Sequence, residues 1–433
     1  MSLLWSVGGM LALVLIAWLF SVDRSAVRWR TVAAALALQV GFGVITLFWG
    51  PGQRALEAVS RGVSAVIGSA NAGIEFVFGP VLPEEGSVFA FQVLPVIIFF
   101  ASLTAVLFHL GIMQKVVNLL GNGLGFLLGT GRYESVNAAA NILVGQTEAP
   151  LVIKPYLRRL DESALFAVMV GGLATVAGSV LAGYALLGAK MEYLIAASFM
   201  AAPGALLMAK IMVPEGVSAP VRAGVGSAAA VAPGAGSTRA EDRLEAPEEV
   251  DPAEEPAVED ERADNVIEAA AQGAQDGLKL ALTVGAMLLA FISLIELMNL
   301  LLGTVGGWFG QPELSFEQLL GWVFAPVMLL VGVPWAEAGS SGSFLGQKIV
   351  LNEFVAFANF TSTTEGMSER TQAITTFALT GFANLGSLGI LLGGLGGLVP
   401  ERRGDIARLG LRAILAATLA NLMSAAIAGL LIG

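Results

Sequence analysis

Two carboxylates, Glu148 and Glu353, stand inside apolar stretches of this sequence. A carboxylate at the centre of a bilayer costs about 2.5–3.5 kcal/mol even on the milder insertion scales, so it is kept for an ion, a solute or a partner. A buried structural network is the competing use, and no Lys or Arg is expected at matching depth. Both glutamates have polar company. Gln146 and Thr147 precede Glu148, and Asn352 precedes Glu353. Asn384 and Ser387 are three apart, so they share one helical face or one unwound turn. Asn141 and Thr175 can coordinate a cation together with carbonyls freed where a helix unwinds. An interhelical hydrogen bond is the other use of Asn141.

Other chemistry is scarce. The 433 residues contain no Cys and a single His, His109, which leaves no thiolate site and little room for His-based metal or nucleophile chemistry. His109 lies near the end of an apolar run and reads as a tolerated polar residue, with a proton relay as its rival role. The chain is 56% apolar and only 13% charged, with a mean hydropathy of +0.77. Soluble domains carry about 25% charged residues. This composition excludes a soluble globular domain, a disordered chain and a nucleic-acid binder. It points to a multi-span membrane protein.

The net charge of −11 is local: the segment 214–265 holds 13 acids and 4 bases, and the remainder is nearly balanced. That segment also carries six of the 17 prolines. It cannot bury enough apolar surface to fold and reads as a disordered cytoplasmic linker.

The elements that must position the carboxylates follow from the apolar runs. Leu3–Phe20 and Thr31–Trp49 are the first two spans. Arg24, Arg28 and Arg30 between them mark the cytoplasmic side. Gln53–Phe78 is amphipathic and reads as a helix on the membrane surface. Val88–Ile112 is the third span. Tyr133–Leu157 is too short and too polar to cross and return, so it reads as a re-entrant hairpin with its turn at Gly145-Gln146-Thr147. Ser163–Leu187, Met191–Val213 and Asp276–Leu302 are spans four to six. Leu314–Val333 is apolar but holds Pro326. Trp335–Phe360 repeats the hairpin pattern, Ser368–Gly397 is a glycine-broken span, and Leu415–Ile432 closes the chain. The expectation is an all-α integral membrane protein of about eight transmembrane helices and two re-entrant hairpins. Both termini face outward.

The two halves share an order: hairpin, capped helix start, broken span, closing span. Glu148 precedes Gly178-Ser179 by 30 residues, and Glu353 precedes Gly386-Ser387 by 33. The topology inverts the second hairpin relative to the first. Inverted repeats with broken helices at the midplane are the plan of many secondary transporters. The expected organisation is scaffold helices at 1–112 and a first transport repeat at 113–213. The linker at 214–265 follows, then a scaffold helix with its preceding segment at 266–313 and a second transport repeat at 314–433.

Several motifs are familiar together. Gly145-Gln146-Thr147-Glu148-Ala149-Pro150 resembles the first-hairpin signature of concentrative nucleoside transporters. Asn352-Glu353-Phe354-Val355-Ala356 resembles their second-hairpin motif, and Gly381-Phe382-Ala383-Asn384 with Ser387 their seventh-span motif. Asn265-Val266-Ile267-Glu268 and Gly277-Leu278-Lys279 fit as well. The resemblance covers most of the chain from about Val88 onward. It implies a homotrimer in the cell inner membrane that imports nucleosides by alternating access. It implies that Gln146, Thr147, Glu148 and Val180 read the nucleobase. Glu353, Asn384 and Ser387 would read the ribose hydroxyls, with Phe382 packed nearby. A carboxylate accepts two hydrogen bonds at once, which suits a vicinal diol. The resemblance places sodium, the coupling ion, at Asn141, Val144, Thr175 and Val176; proton coupling is the alternative. No enzyme activity and no other cofactor are implied. Leu385-Gly386 stands where the family often has an aromatic residue and Ser, and Thr175 where Ser is commoner.

Overall fold

The computed structural model describes residues 2–82, 88–216, 263–364 and 366–432. The expectation for the acidic linker therefore lies, from 217 to 262, outside the described residues. Among the described residues every regular element is a helix. Seven helices are long and apolar enough to cross a membrane, or eight if one bent pair counts as a span.

The first part of the chain runs through α1 (Ser2–Leu19) and α2 (Trp29–Gly43), which ends in a π turn at Val44–Phe48. Next come α3 (Gly50–Phe78), the short α4 (Phe89–Gln92) and α5 (Leu94–His109). α3 buries one narrow stripe, Leu56, Ser60, Ile67, Ala70 and Ile74, and leaves its other faces open. α6 (Ile112–Leu128) was not expected. It is amphipathic, with Met113, Val117, Gly121, Leu124 and Leu128 buried at helical spacing.

The first hairpin is α7 (Arg132–Ala140), a turn over 141–148, and a second arm at Ala149–Arg159. That second arm is a 3-10 helix. Pro150 and Pro155 remove two backbone donors, and Ile153 leaves helical geometry at φ −117°, ψ 16°. α8 (Glu162–Ala174) starts on Asp161, whose carboxylate accepts from the Ala164 N–H at 2.6 Å. It breaks at Thr175–Ala177 and resumes as α9 (Gly178–Leu186). α10 (Met191–Met212) is apolar nearly all round and forms the centre of the molecule, packed by α1, α2 and α8.

α11 (Val266–Trp308) has 43 residues and is about 65 Å long at 1.5 Å per residue, twice the apolar thickness of a bilayer. The expected span, Asp276–Leu302, is its middle part. α12 (Phe316–Leu330) and α13 (Trp335–Val350) meet at 115°. α13 and α14 (Glu353–Ser362) form the second hairpin, with the turn at Leu351-Asn352. α15 (Glu369–Leu379) is capped by the Ser368 hydroxyl and breaks at Thr380–Gly386. α16 (Ser387–Gly393) and α17 (Leu395–Leu398) complete this broken element, and α18 (Arg403–Ile432) packs against α8, α10 and α15. The order α6, hairpin, broken helix, closing helix thus recurs as α12, hairpin, broken helix, closing helix.

α5 and α11 pack along most of α5 because Gly273 and Gly277 carry no side chain. A Cβ on Gly277 would lie 2.7 Å from the Ile98 Cα. Gly277→Leu forces the two helices apart, and overpacking of this kind costs about 1–3 kcal/mol. The expected outcome is a thermal midpoint lowered by several degrees, read from a melting curve.

Candidate functional site

The tips of both hairpins and both helix breaks face a single cavity of about 850 Å³. Its opposite wall comes from α5 (Ala101, Thr104, Ala105, Phe108) and α11 (Gly277, Leu280, Thr283, Met287). All eight residues singled out for substrate line it: Gln146, Thr147, Glu148, Val180, Glu353, Phe382, Asn384 and Ser387. They come from four separate stretches of the chain.

The first hairpin turn is seated by glycines. Gln146 packs over Gly172 of α8, where a Cβ would meet the Gln146 Cβ at 2.9 Å. The Glu148 carboxylate lies over Gly145, where a Cβ would stand 2.6 Å from Oε2. Thr147 lies against Gly394. Gln146 is buried at 6% exposure, and its Oε1 has no partner among the described residues. Thr147 and Glu148 are exposed to the cavity.

The two carboxylates therefore differ. Glu353 is 5% exposed and is held by the Asn384 side chain, whose Nδ2 donates to Oε2 at 2.9 Å. Asn384 is itself fixed: its Oδ1 accepts from the Ser387 N–H at 2.8 Å and from the Ser387 hydroxyl at 3.1 Å. Asn352 caps α14 through the Val355 N–H at 2.9 Å. Tyr184 of α9 is fully buried beside Glu353, stacked on Phe357 at 4.3 Å and edge-on to Phe354 at 4.8 Å. Sequence reasoning missed Tyr184, because an aromatic residue in an apolar span is ordinarily core.

One sequence expectation is overturned. Lys348 lies five residues before Glu353 on the same hairpin and is fully buried, so a buried cation does stand near that carboxylate. Its Nζ donates to the Ala378 carbonyl and to Asn421 Oδ1, each at 2.8 Å. The cost argument that marked Glu353 applies equally to Lys348 and was the available signal.

The four residues singled out for a cation lie on two adjoining segments, the first hairpin turn and the break after α8. Asn141 caps α7 and is fully buried. Its Nδ2 donates to the Asn137 carbonyl at 3.0 Å, while its Oδ1 has no partner among the described residues. The interhelical hydrogen bond open to Asn141 is thus not made among the described residues. Thr175 and Val176 occupy the break after α8, and the Gly178 N–H reaches back to the Leu143 carbonyl at 3.4 Å. The Val144 and Val176 carbonyls accept no hydrogen bond among the described residues. Unpartnered amide and carbonyl oxygens with no carboxylate among them fit a hard monovalent cation. Within the Leu385-Gly386 departure from the family pattern, Gly386 lines the cavity, whereas Leu385 does not.

Comparisons with known proteins identify the family. Residues 8–81 match the family described as Na+ dependent nucleoside transporter N-terminus. Residues 90–191 match Nucleoside recognition, and residues 193–429 match Na+ dependent nucleoside transporter C-terminus. The chain is 50% identical over 433 residues to the Uncharacterized transporter YutK of Bacillus subtilis, covering 100% of both. It is 45% identical over 444 residues to Nucleoside permease NupC of Helicobacter pylori, covering 100% of this chain and 98% of that one. Its fold is similar to CNTnw in an inward-facing substrate-bound state, with a TM-score of 0.87, 47% identity and coverage of 100% and 98%. It is also similar to a doubly substituted CNTnw in an outward-facing state, with a TM-score of 0.89, 47% identity and coverage of 100% and 99%. The chain belongs to the concentrative nucleoside transporter family, a class of multi-pass membrane permeases and not of enzymes.

Proposed function

We propose that this protein imports nucleosides by sodium-driven symport through alternating access, as a homotrimer in the cell inner membrane with both termini outside. The observation that carries the reading is the convergence of two hairpin tips and two helix breaks on one cavity. Gln146, Thr147 and Glu148 offer an amide, a hydroxyl and a carboxylate to the heteroatoms of a nucleobase, with Val180 against the ring. Glu353, oriented by Asn384 and Ser387, takes the vicinal ribose hydroxyls, and Phe382 covers the sugar. A site built on such bonds rejects analogues that cannot fill them, because its own polar groups are left unpaired.

Sodium is held by Asn141 Oδ1, the Thr175 hydroxyl and the Val144 and Val176 carbonyls. The buried, unpartnered Asn141 Oδ1 supports that assignment. The α5–α11 wall is the fixed side, and the hairpins and broken helices move against it. The inward- and outward-facing states reported for CNTnw support such a motion. The exposed apolar face of α11, with Leu282, Leu289, Leu297 and Leu300, supports a role against lipid and neighbouring subunits.

The absence of cysteine gives a direct test. Ser179→Cys places the chain's one thiol on the cavity wall beside Val180. A methanethiosulfonate reagent is expected to modify it. Uridine is expected to protect it at least tenfold, at lower uridine concentration when sodium is present. A labelling rate indifferent to uridine rejects the site.

A further inference from the structure

We infer that Lys348 and Asn421 form the brace through which cation binding in the first repeat raises nucleoside affinity in the second. The inference rests on the sodium reading above. Neither residue lines the cavity.

The brace joins two helix ends. Asn421 of α18 is 2% exposed, and its Nδ2 donates to the Ala174 carbonyl at 2.7 Å. Its Oδ1 accepts from Lys348 Nζ, which also donates to the Ala378 carbonyl. Ala174 is the last residue of α8, directly before Thr175 and Val176. Ala378 lies in the last turn of α15, ahead of the break that carries Phe382 and Asn384. Carbonyls at a helix C-terminus lack intrahelical donors and carry partial negative charge, so an ammonium is well placed there. One lysine and one amide thus tie the cation-side break to the ribose-side break.

The fit around the brace leaves no slack. Gly381, at φ +153°, runs against it: a Cβ there would stand 2.3 Å from Asn421 Oδ1 and 2.8 Å from the Ala174 carbonyl oxygen. The next residue, Phe382, donates its N–H to the Thr175 carbonyl at 3.3 Å. The Thr175 carbonyl and the brace therefore hold the same short stretch, Gly381-Phe382.

The repeat explains why a lysine stands here. Thr175 follows Glu148 by 27 residues, and Thr380 follows Glu353 by 27. Both threonines end a helix, and both hydroxyls donate to the carbonyl four residues back, at 2.8 and 2.7 Å. The first break is completed by a cation that comes and goes. The second is completed by a tethered ammonium from its own hairpin. The second break is therefore always held, and the first is held only when sodium is present. The brace passes that difference to the ribose contacts, which is a coupling between two sites.

The test compares uridine affinity of the full-length protein in detergent, measured calorimetrically in choline chloride and in sodium chloride. The wild type is expected to bind about tenfold more tightly in sodium, within the usual range of coupling. Lys348→Met is paired with Asn421→Leu, which removes the side-chain acceptor that loss of the lysine would strand and leaves the Ala174 and Ala378 carbonyls without their side-chain donors. The double variant is expected to melt below the wild type while still unfolding cooperatively, and to show less than a twofold sodium effect. Asn421→Ser, a milder change, is expected to show an intermediate effect. A folded double variant, or Asn421→Ser, with the full wild-type sodium effect overturns the brace alone. A wild type whose uridine affinity ignores sodium overturns the sodium reading and the brace with it.

Discussion

Glu353→Gln is expected to lower uridine uptake by about two orders of magnitude without lowering the amount of folded protein. Glu353 is held in one orientation by Asn384, which Ser387 holds in turn. The carboxylate can accept from Asn384 on one oxygen and from ribose on the other. A glutamine has only one acceptor atom. Keeping Asn384 on it turns an N–H2 group toward the ribose; turning it round leaves Asn384 facing another donor. Hydrogen bonds to a charged group contribute about 1.5–3 kcal/mol each, and two ribose bonds are at stake. The signature is selectivity. The wild type is expected to prefer uridine over its 2′,3′-dideoxy analogue by at least tenfold, and the variant by less than threefold. Competition uptake with equal surface protein reads both. Unchanged preference in the variant removes Glu353 from the ribose site. Glu148→Gln is also expected to abolish accumulation; because Glu148 faces the cavity and has no side-chain partner among the described residues, its loss falls on the substrate alone.

Lys210→Met carries the largest expected effect on stability. Lys210 lies in the last turn of α10 at 5% exposure, paired with Glu134 of the first hairpin at 2.7 Å and with Glu215 at 3.0 Å. Its Nζ also donates to Ser163 at 3.2 Å, and Ser163 donates to the Val213 carbonyl at 2.7 Å. Arg28 closes the cluster on Glu215. Glu134 is almost wholly enclosed, and its other oxygen accepts from the Gly131 N–H at 2.7 Å. Removing the ammonium strands that carboxylate in the interior, which costs about 3–5 kcal/mol. Thermal melting of the purified protein is expected to drop by many degrees. Adding Glu134→Leu removes the stranded charge and is expected to recover most of the loss. No recovery in the double variant contradicts the ion-pair account.

These particulars separate what the sequence makes legible from what it does not. Glu148 and Glu353 were conspicuous because an apolar background makes each charge expensive. Gln146, Thr147, Asn384 and Ser387 stood beside them or at the mirrored place in the repeat. The hairpins were legible from length, and the second one from the first. The different exposure of the two carboxylates was not legible, because the cavity that opens onto Glu148 is closed by α5 and α11, far away in sequence. α6 was missed because its apolar residues form a stripe and not a run. The 3-10 arm was missed although Pro150 and Pro155 announce it. Lys348, Lys210 and Glu134 were visible as charges near apolar segments, but only tertiary packing decides which charge snorkels to water and which finds a partner inside.

The central claim is that an inward sodium gradient drives nucleosides uphill through this cavity. The most direct measurement is radiolabelled uridine accumulation in proteoliposomes, with a sodium gradient imposed at equal pH and, separately, a pH gradient imposed without sodium. The account predicts a transient internal uridine concentration severalfold above the external one with sodium alone, and none with the pH gradient alone. Accumulation driven by the pH gradient and indifferent to sodium would contradict it.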